Sequence, residues 1–134
     1  MNDLVERDGL YYKKFSDAPF TGRISGEDKG MIKNGKRDGI WEWYYGNGQL
    51  SGKRNYKDGK EHGSFKEYYR SGQLYTKGNY KDGKLHGLWE HYHFNGQVQF
   101  RQNLKDGVLD GLWEVFKEDG FLKRTETYKN GVKQ

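Results

Sequence analysis

The chain has 134 residues, room for one domain and too little for two ordinary ones. Hydrophobic residues make up 32% of it, half of them aromatic. Cys is absent, and Lys and Arg outnumber Asp and Glu by 24 to 19, a formal net charge of +5. A disulfide scaffold, a thiolate zinc site and a cysteine nucleophile are excluded, and the basic balance permits an acidic partner without demanding one.

In chain order, the opening Met1 to Arg7 has no cationic stretch leading into an apolar one, so no signal peptide is expected. No apolar run approaches the roughly 20 residues of a membrane helix, and the cytoplasm is the expected location. Gly9-Leu10-Tyr11-Tyr12 then opens like a strand of the repeat that follows. Pro19-Phe20-Thr21-Gly22 supplies a glycine 17 residues before Gly39, where the later spacing is 24. Residues 1–31 therefore read as a degenerate N-terminal capping repeat, because the end units of stacked arrays are atypical.

From Ile32 to Thr127 (residues 32–127) four full copies of a 24-residue unit follow, and residues 128–134 begin a fifth. Gly35, Gly59, Gly83, Gly107 and Gly131 form one series. Gly39, Gly63, Gly87 and Gly111 form a second, and Gly48, Gly72, Gly96 and Gly120 a third. The first series completes Asn-Gly or Asp-Gly pairs, the signature of a two-residue hairpin turn in which both central residues take positive φ. The third series marks another turn, as in Asn47-Gly48 and Asn95-Gly96. Two turns per unit leave strands of about eight to ten residues, rich in Trp, Tyr, Phe, Thr and Val. No helical apolar period occurs, and glycine this frequent would cost a helix about 1 kcal/mol each time.

Side-chain parity narrows the architecture. Trp41, Trp43 and Tyr45 share one strand face, while Ile40, Glu42 and Tyr44 share the other. Both faces carry rings and charges, which does not suit a sandwich. The expected fold is all-β: an elongated single-layer antiparallel β-meander over residues 1–134, two strands per repeat, with aromatics flat over glycines of neighbouring strands. At about 4.8 Å per strand the array should reach about 50 Å. Its last strand offers an edge, which would allow a homo-oligomer by strand addition.

The unit Tyr-x-Asp-Gly-Lys-x-x-Gly-x-Trp-x-x-Tyr resembles the MORN repeat. The 24-residue period, the Trp-Glu-x-Tyr-Tyr strand and the Asn-Gly-Gln-Leu turn are closer to the MORN-variant repeat of the bacterial YwqK-family antitoxins. Asp8-Gly9-Leu10-Tyr11-Tyr12 and Pro19-Phe20-Thr21-Gly22 are similar to that family's first repeat. The resemblance implies a β-repeat fold and a toxin-neutralising protein contact, and it implies no catalytic residue.

Reading the residues themselves leads to the same class. His62 and His86 occupy one slot in adjacent repeats, about 10 Å apart and too far to share one metal ion. His91 and His93 share a strand face, but no third ligand recurs nearby, so no metal and no cofactor is expected. Glu42, Glu90 and Glu114 recur as a ladder, with Lys or Arg partners on the next strand, rather than as a catalytic pair. No nucleophile elbow or phosphate loop occurs, no enzyme is expected, and the pattern shows no singular place outside the N-terminal segment.

Two surfaces remain. Lys33, Lys57, Lys81, Lys105 and Lys129 line the edge with the Asn-Gly and Asp-Gly turns. They read either as solvated turn residues that discourage edge pairing or as an anion-binding track for nucleic acid or anionic lipid. Trp41, Phe65, Trp89 and Trp113 read as core. The variable large residues beside them, Trp43, Tyr45, Tyr69, His91 and His93, read as the partner-binding set, since such side chains bury much area with few rotors. The expectation is a non-enzymatic, antitoxin- or immunity-like interaction module that occludes an acidic partner protein.

Overall fold

In the computed structural model, residues 4–13 and 18–134 are described. The capping reading of residues 1–31 therefore lies partly outside the described residues. The described chain is all strand and turn, with no helix. A separate hairpin of β1 (Leu4–Arg7) and β2 (Leu10–Lys13) precedes one continuous antiparallel meander.

The meander runs β3 (Gly22–Ile24), β4 (Asp28–Lys33), β5 (Lys36–Tyr44), β6 (Leu50–Lys57), β7 (Lys60–Glu61), β8 (Gly63–Tyr68) and β9 (Leu74–Lys81). It continues with β10 (Lys84–Leu85), β11 (Gly87–Tyr92), β12 (Val98–Lys105), β13 (Val108–Phe116), β14 (Leu122–Lys129) and β15 (Val132–Lys133). These 13 strands form one open sheet in which sequence neighbours are spatial neighbours. The expected single-layer β-meander with two strands per repeat is the observed fold.

The turns explain why. Asn34, Asp58, Asp82, Asp106 and Asn130 have φ near 50°, and the glycine after each is also positive. That is the left-handed pair that closes a two-residue hairpin with the right twist. The other turn is built differently. Gly48 N–H donates to the Tyr45 carbonyl, Tyr45 N–H donates to the Gln49 carbonyl, and only Gly48 has positive φ. The Asn47 side chain accepts from Gln49 N–H, which fixes the loop locally.

Each repeat departs from ideal strand parity at one shared place. The register shifts between Trp43 and Tyr44, Glu67 and Tyr68, His91 and Tyr92, and Val115 and Phe116. The extra residues on the partner strands are Ser51, Tyr75, Gln99 and Lys123. A bulge of this kind turns two successive side chains toward one face. The Gly39 series, all at positive φ, marks a second irregularity, which cuts β7 from β8 and β10 from β11 in the middle repeats.

The core lies on the face of Trp41. Trp41 and Ile32 are fully buried together with Ile24, and Leu4, Tyr11, Phe20, Trp43 and Tyr56 pack against them. The N-terminal hairpin is thus laid over the first repeat. It is tied there by Tyr11 N–H to the Gly35 carbonyl at 2.7 Å, and by Phe20, whose N–H donates to the Tyr11 carbonyl at 2.9 Å and whose carbonyl accepts from Gly35 N–H at 2.6 Å. Trp41 lies against Gly30, where a Cβ would fall 2.3 Å from the ring. Gly78 sits between Phe65 and Trp89 in the same way. The expected stacking of aromatics over glycines holds at these two positions. At the equivalent slot between them stands Arg54, whose guanidinium lies 5.3 Å from the Phe65 ring centre.

Candidate functional site

On the Trp41 face the aromatic side chains form a connected belt. Tyr69 contacts Phe94 and Tyr75 with ring centres 4.9 and 5.0 Å apart, and Tyr75 meets His91 edge-on at 5.4 Å. His91 stacks on Phe100 at 4.2 Å and meets Trp89 at 4.6 Å. Tyr75 and Phe94 are exposed, so the belt reaches solvent. Burial holds the His91 imidazole below its ordinary pKa, against a smaller opposing pull from Glu67. Its Nε2 is buried without a partner, as expected of a ring that packs as a neutral aromatic.

The five residues expected to bind a partner all lie on this face and divide into two kinds. Tyr45, Tyr69 and His93 share one slot, and each reaches into the next repeat. The hydroxyl of Tyr45 donates to the Tyr68 carbonyl, and that of Tyr69 to the Tyr92 carbonyl at 2.8 Å. His93 Nε2 lies 3.1 Å from the Phe116 carbonyl. Their polar tips tether repeats, while their rings stay on the surface. Trp43 and His91 instead lie beside the buried rings. Trp43 is 6.3 Å from Trp41 and 6.4 Å from Tyr56.

Charge is built into this face in the first two repeats. The Arg37 guanidinium is surrounded by the rings of Tyr11, Trp41, Trp43 and Tyr56, at 4.8 to 5.7 Å from their centres. At the slot one repeat beyond Gly30, Arg54 is gripped by both Glu61 and Glu67. Burial works against the Arg54 charge, but the hydrogen bonds and charges of the two carboxylates outweigh it and hold its pKa above the usual range.

Beside Arg54 is a hollow of about 300 Å³ lined by Trp43, Tyr45, Ser51, Gly52, Glu67 and Tyr75. It corrects the expectation that no place outside the N-terminal segment breaks the pattern. The bulge pair is Ser51-Gly52 here, against Tyr75-Thr76, Gln99-Phe100 and Lys123-Arg124 in the other repeats. Ser51 and Gly52 leave this stretch of the face without the bulk of those side chains, and a Cβ at residue 52 would lie 3.2 Å from the Lys66 carbonyl. The signal was in the sequence, but strict alternation puts Ser51 and Gly52 on opposite faces, and only the bulge unites them.

His62, His86 and two of the three laddered glutamates have structural partners. His62 Nδ1 accepts from Asp82 N–H at 3.3 Å and His86 Nδ1 from Asp106 N–H at 3.5 Å, so each holds the next repeat's turn. Asp110 does the same for Asn130 at 3.1 Å. Glu90 pairs with Arg101 at 2.9 Å and Lys77 at 3.8 Å, and Glu42 with Lys53 at 3.8 Å, on the opposite face. Among the described residues no three metal-ligating side chains converge.

The turn edge is arranged as expected, with one addition. Lys33 is paired across its hairpin with Lys36, Lys57 with Lys60, and Lys81 with Lys84, all exposed. Lys105 and Lys129 face Val108 and Val132.

Among curated proteins no match is found. Among solved structures, a chain of the crystal structure of accessory secretory protein 1, 2 and 3 in Streptococcus pneumoniae is similar, with 24% identity and a TM-score of 0.43. The similarity covers 76% of this chain and 19% of that one, so this chain spans about a fifth of that protein's length. The profile of the MORN repeat variant matches four times, at residues 37–58, 61–82, 85–106 and 109–130. Each match begins in the strand after one two-residue turn and ends in the next such turn. With four in-phase units covering most of the sheet, the chain belongs to the MORN repeat variant family.

Proposed function

We propose that this chain is a non-enzymatic protein-interaction module of antitoxin- or immunity-like kind, akin to the YwqK antitoxins and acting in the cytoplasm. It binds and occludes a partner protein through the Trp41 face. Repeats of this family generally serve protein or membrane interaction, and their proteins are typically binding modules rather than enzymes. The observation that carries the reading is the aromatic belt from Phe94 through Tyr69 and Tyr75 to His91, continuous and open to solvent. Tyr69 in the belt and Tyr45 on the same face are fixed by inter-repeat hydrogen bonds, so binding would immobilise fewer side chains and more of the contact energy would appear as affinity. Trp43, Tyr45, Tyr69, His91 and His93 are the proposed contact set.

The test is a tagged capture from native lysate, with and without nuclease, washed at low and high salt. The expected result is one stoichiometric protein that survives both treatments. That partner should lose its own activity when the chain is added, and Trp43→Ala with Tyr69→Ala should abolish its capture. Capture unchanged in the double variant overturns the assignment of the face.

A second reading has its own observation. Like charges directly opposed across a hairpin disfavour each other, yet Lys33–Lys36, Lys57–Lys60 and Lys81–Lys84 recur along one edge. An anionic partner, nucleic acid or lipid, would relieve that repulsion. Such binding should fall steeply as salt rises, and be lost when these lysines are replaced by Gln.

A further inference from the structure

We infer that the hollow at Gly52 is an arginine-binding pocket that receives one guanidinium side chain from a partner protein. The inference rests on the proposal that the Trp41 face is the contact surface, and names the chemistry of one contact on it.

Three observations converge. The first is that the hollow lies at the one bulge of the four that is built from two small residues. Small Ser51 and Gly52 replace the bulkier bulge pairs of the other three, and the space is left to Trp43, Tyr45 and Tyr75 as aromatic walls. At about 300 Å³ it lies at the small end of ligand sites. The second is charge. Arg54 brings one positive charge against two carboxylates, Glu61 and Glu67, which leaves the cluster one negative charge in excess. Glu67 uses Oε1 on Arg54, and its Oε2 has no partner among the described residues. Glu67 also lines the hollow, so an acceptor is available at its wall. Arg54, by contrast, is committed to its two carboxylates and offers an anion little.

The third is that the protein already solves the same recognition problem twice with its own arginines. Arg37 sits among four rings, and Arg54 sits over Phe65 and Tyr80 with two carboxylates. Rings above and below with a carboxylate at the end suit a planar guanidinium, which stacks and pairs in one pose. The Gly52 hollow offers the same elements, the rings of Trp43, Tyr45 and Tyr75 and the Glu67 carboxylate, with Arg54 in its wall held by Glu61 and Glu67 and Arg70 lying 5.5 Å from the Tyr45 ring centre.

The experiment is a titration of the intact chain followed by NMR at the Trp43 indole N–H, which is identified with Trp43→Phe. The probe is N-acetyl-arginine amide, and the control is the neutral isostere N-acetyl-citrulline amide. A saturable shift with the arginine probe in the millimolar range, and none with citrulline, is expected. Glu67→Gln should weaken the arginine probe about tenfold, in line with loss of a charge-assisted hydrogen bond. Arg54 keeps Glu61 in that variant, so the fold is expected to persist.

Ser51→Tyr with Gly52→Thr copies the Tyr75-Thr76 pair of the next repeat. The new threonine can bond the Lys66 carbonyl as Thr76 bonds that of Glu90. It should fill the pocket and abolish the shift while the melting transition is retained. No saturable shift, an equal shift with citrulline, or equal binding by either variant overturns the proposal. Partner capture separates the two levels. If Trp43→Ala with Tyr69→Ala abolishes capture while Glu67→Gln leaves it unchanged, the contact face stands and the arginine pocket falls.

Discussion

His91 shows how one substitution in a repeat slot changes the chemistry around it. It stands where the other copies have Trp43, Glu67 and Val115, and it is packed as a flat ring against Phe100. Burial depresses its pKa below 6.5, so the unfolded chain binds the proton more readily than the folded one. That contribution to stability is intact above about pH 6.5 and is lost as pH falls toward the depressed value. Urea unfolding at pH 8 and pH 5 should show this loss, and His91→Phe should lose less over the same interval. Phe100 has a second effect at this scale. Trp89 donates its indole N–H to Thr76 Oγ1 at 2.9 Å, but Trp113 finds Phe100 in that slot, and its buried Nε1 has no acceptor. Trp89→Phe should therefore cost about 1 kcal/mol more than Trp113→Phe in the same unfolding assay.

At the scale of the element, strands are held by close approach rather than by a second layer. A methyl group at residue 30 would fall 2.3 Å from the Trp41 ring, and one at residue 78 falls 2.8 Å from Phe65. Gly30→Ala and Gly78→Ala should each destabilise by about 2 kcal/mol or more, through overpacking against rings that cannot move away. Gly46, with open space around it and no positive φ, provides the control, and Gly46→Ala should stay within about 0.5 kcal/mol. Thermal unfolding distinguishes the three. The Tyr45, Tyr69 and His93 slot couples elements across repeats, and Tyr69→Phe should cost about 1 kcal/mol by removing its bond to the Tyr92 carbonyl.

Across the whole molecule the core is distributed unevenly. Ile24, Ile32 and Trp41 are buried under the N-terminal hairpin, Phe65 and Leu104 are buried further along, and β14 contributes no buried residue. In a stacked array each unit is stabilised mainly by its neighbours, so local opening need not be uniform. Amide hydrogen exchange should show the highest protection in β4 and β5, declining to the lowest in β14. A flat protection profile would mean that the sheet opens as one unit. The same open face that limits the core leaves the aromatic belt and the Gly52 hollow accessible.

The 24-residue period, its Asn-Gly and Asp-Gly turns and the alternation of side chains by themselves determined the antiparallel meander and placed the lysines on one edge. These are local signals: positive φ is written in the residue pair, and two turns per unit leave only strands between them. Face membership of Trp41, Trp43 and Tyr45 was legible for the same reason. Two things were decided only by the tertiary structure. The bulge at Ser51, Tyr75, Gln99 and Lys123 breaks the two-residue alternation, and so it alone brings Ser51 and Gly52 together as the floor of one hollow. The charge at that hollow comes from Arg54 and Glu67 in its lining and Glu61 behind them, on three different strands, whose meeting depends on the register of β6 against β7 and β8 and not on their spacing along the chain.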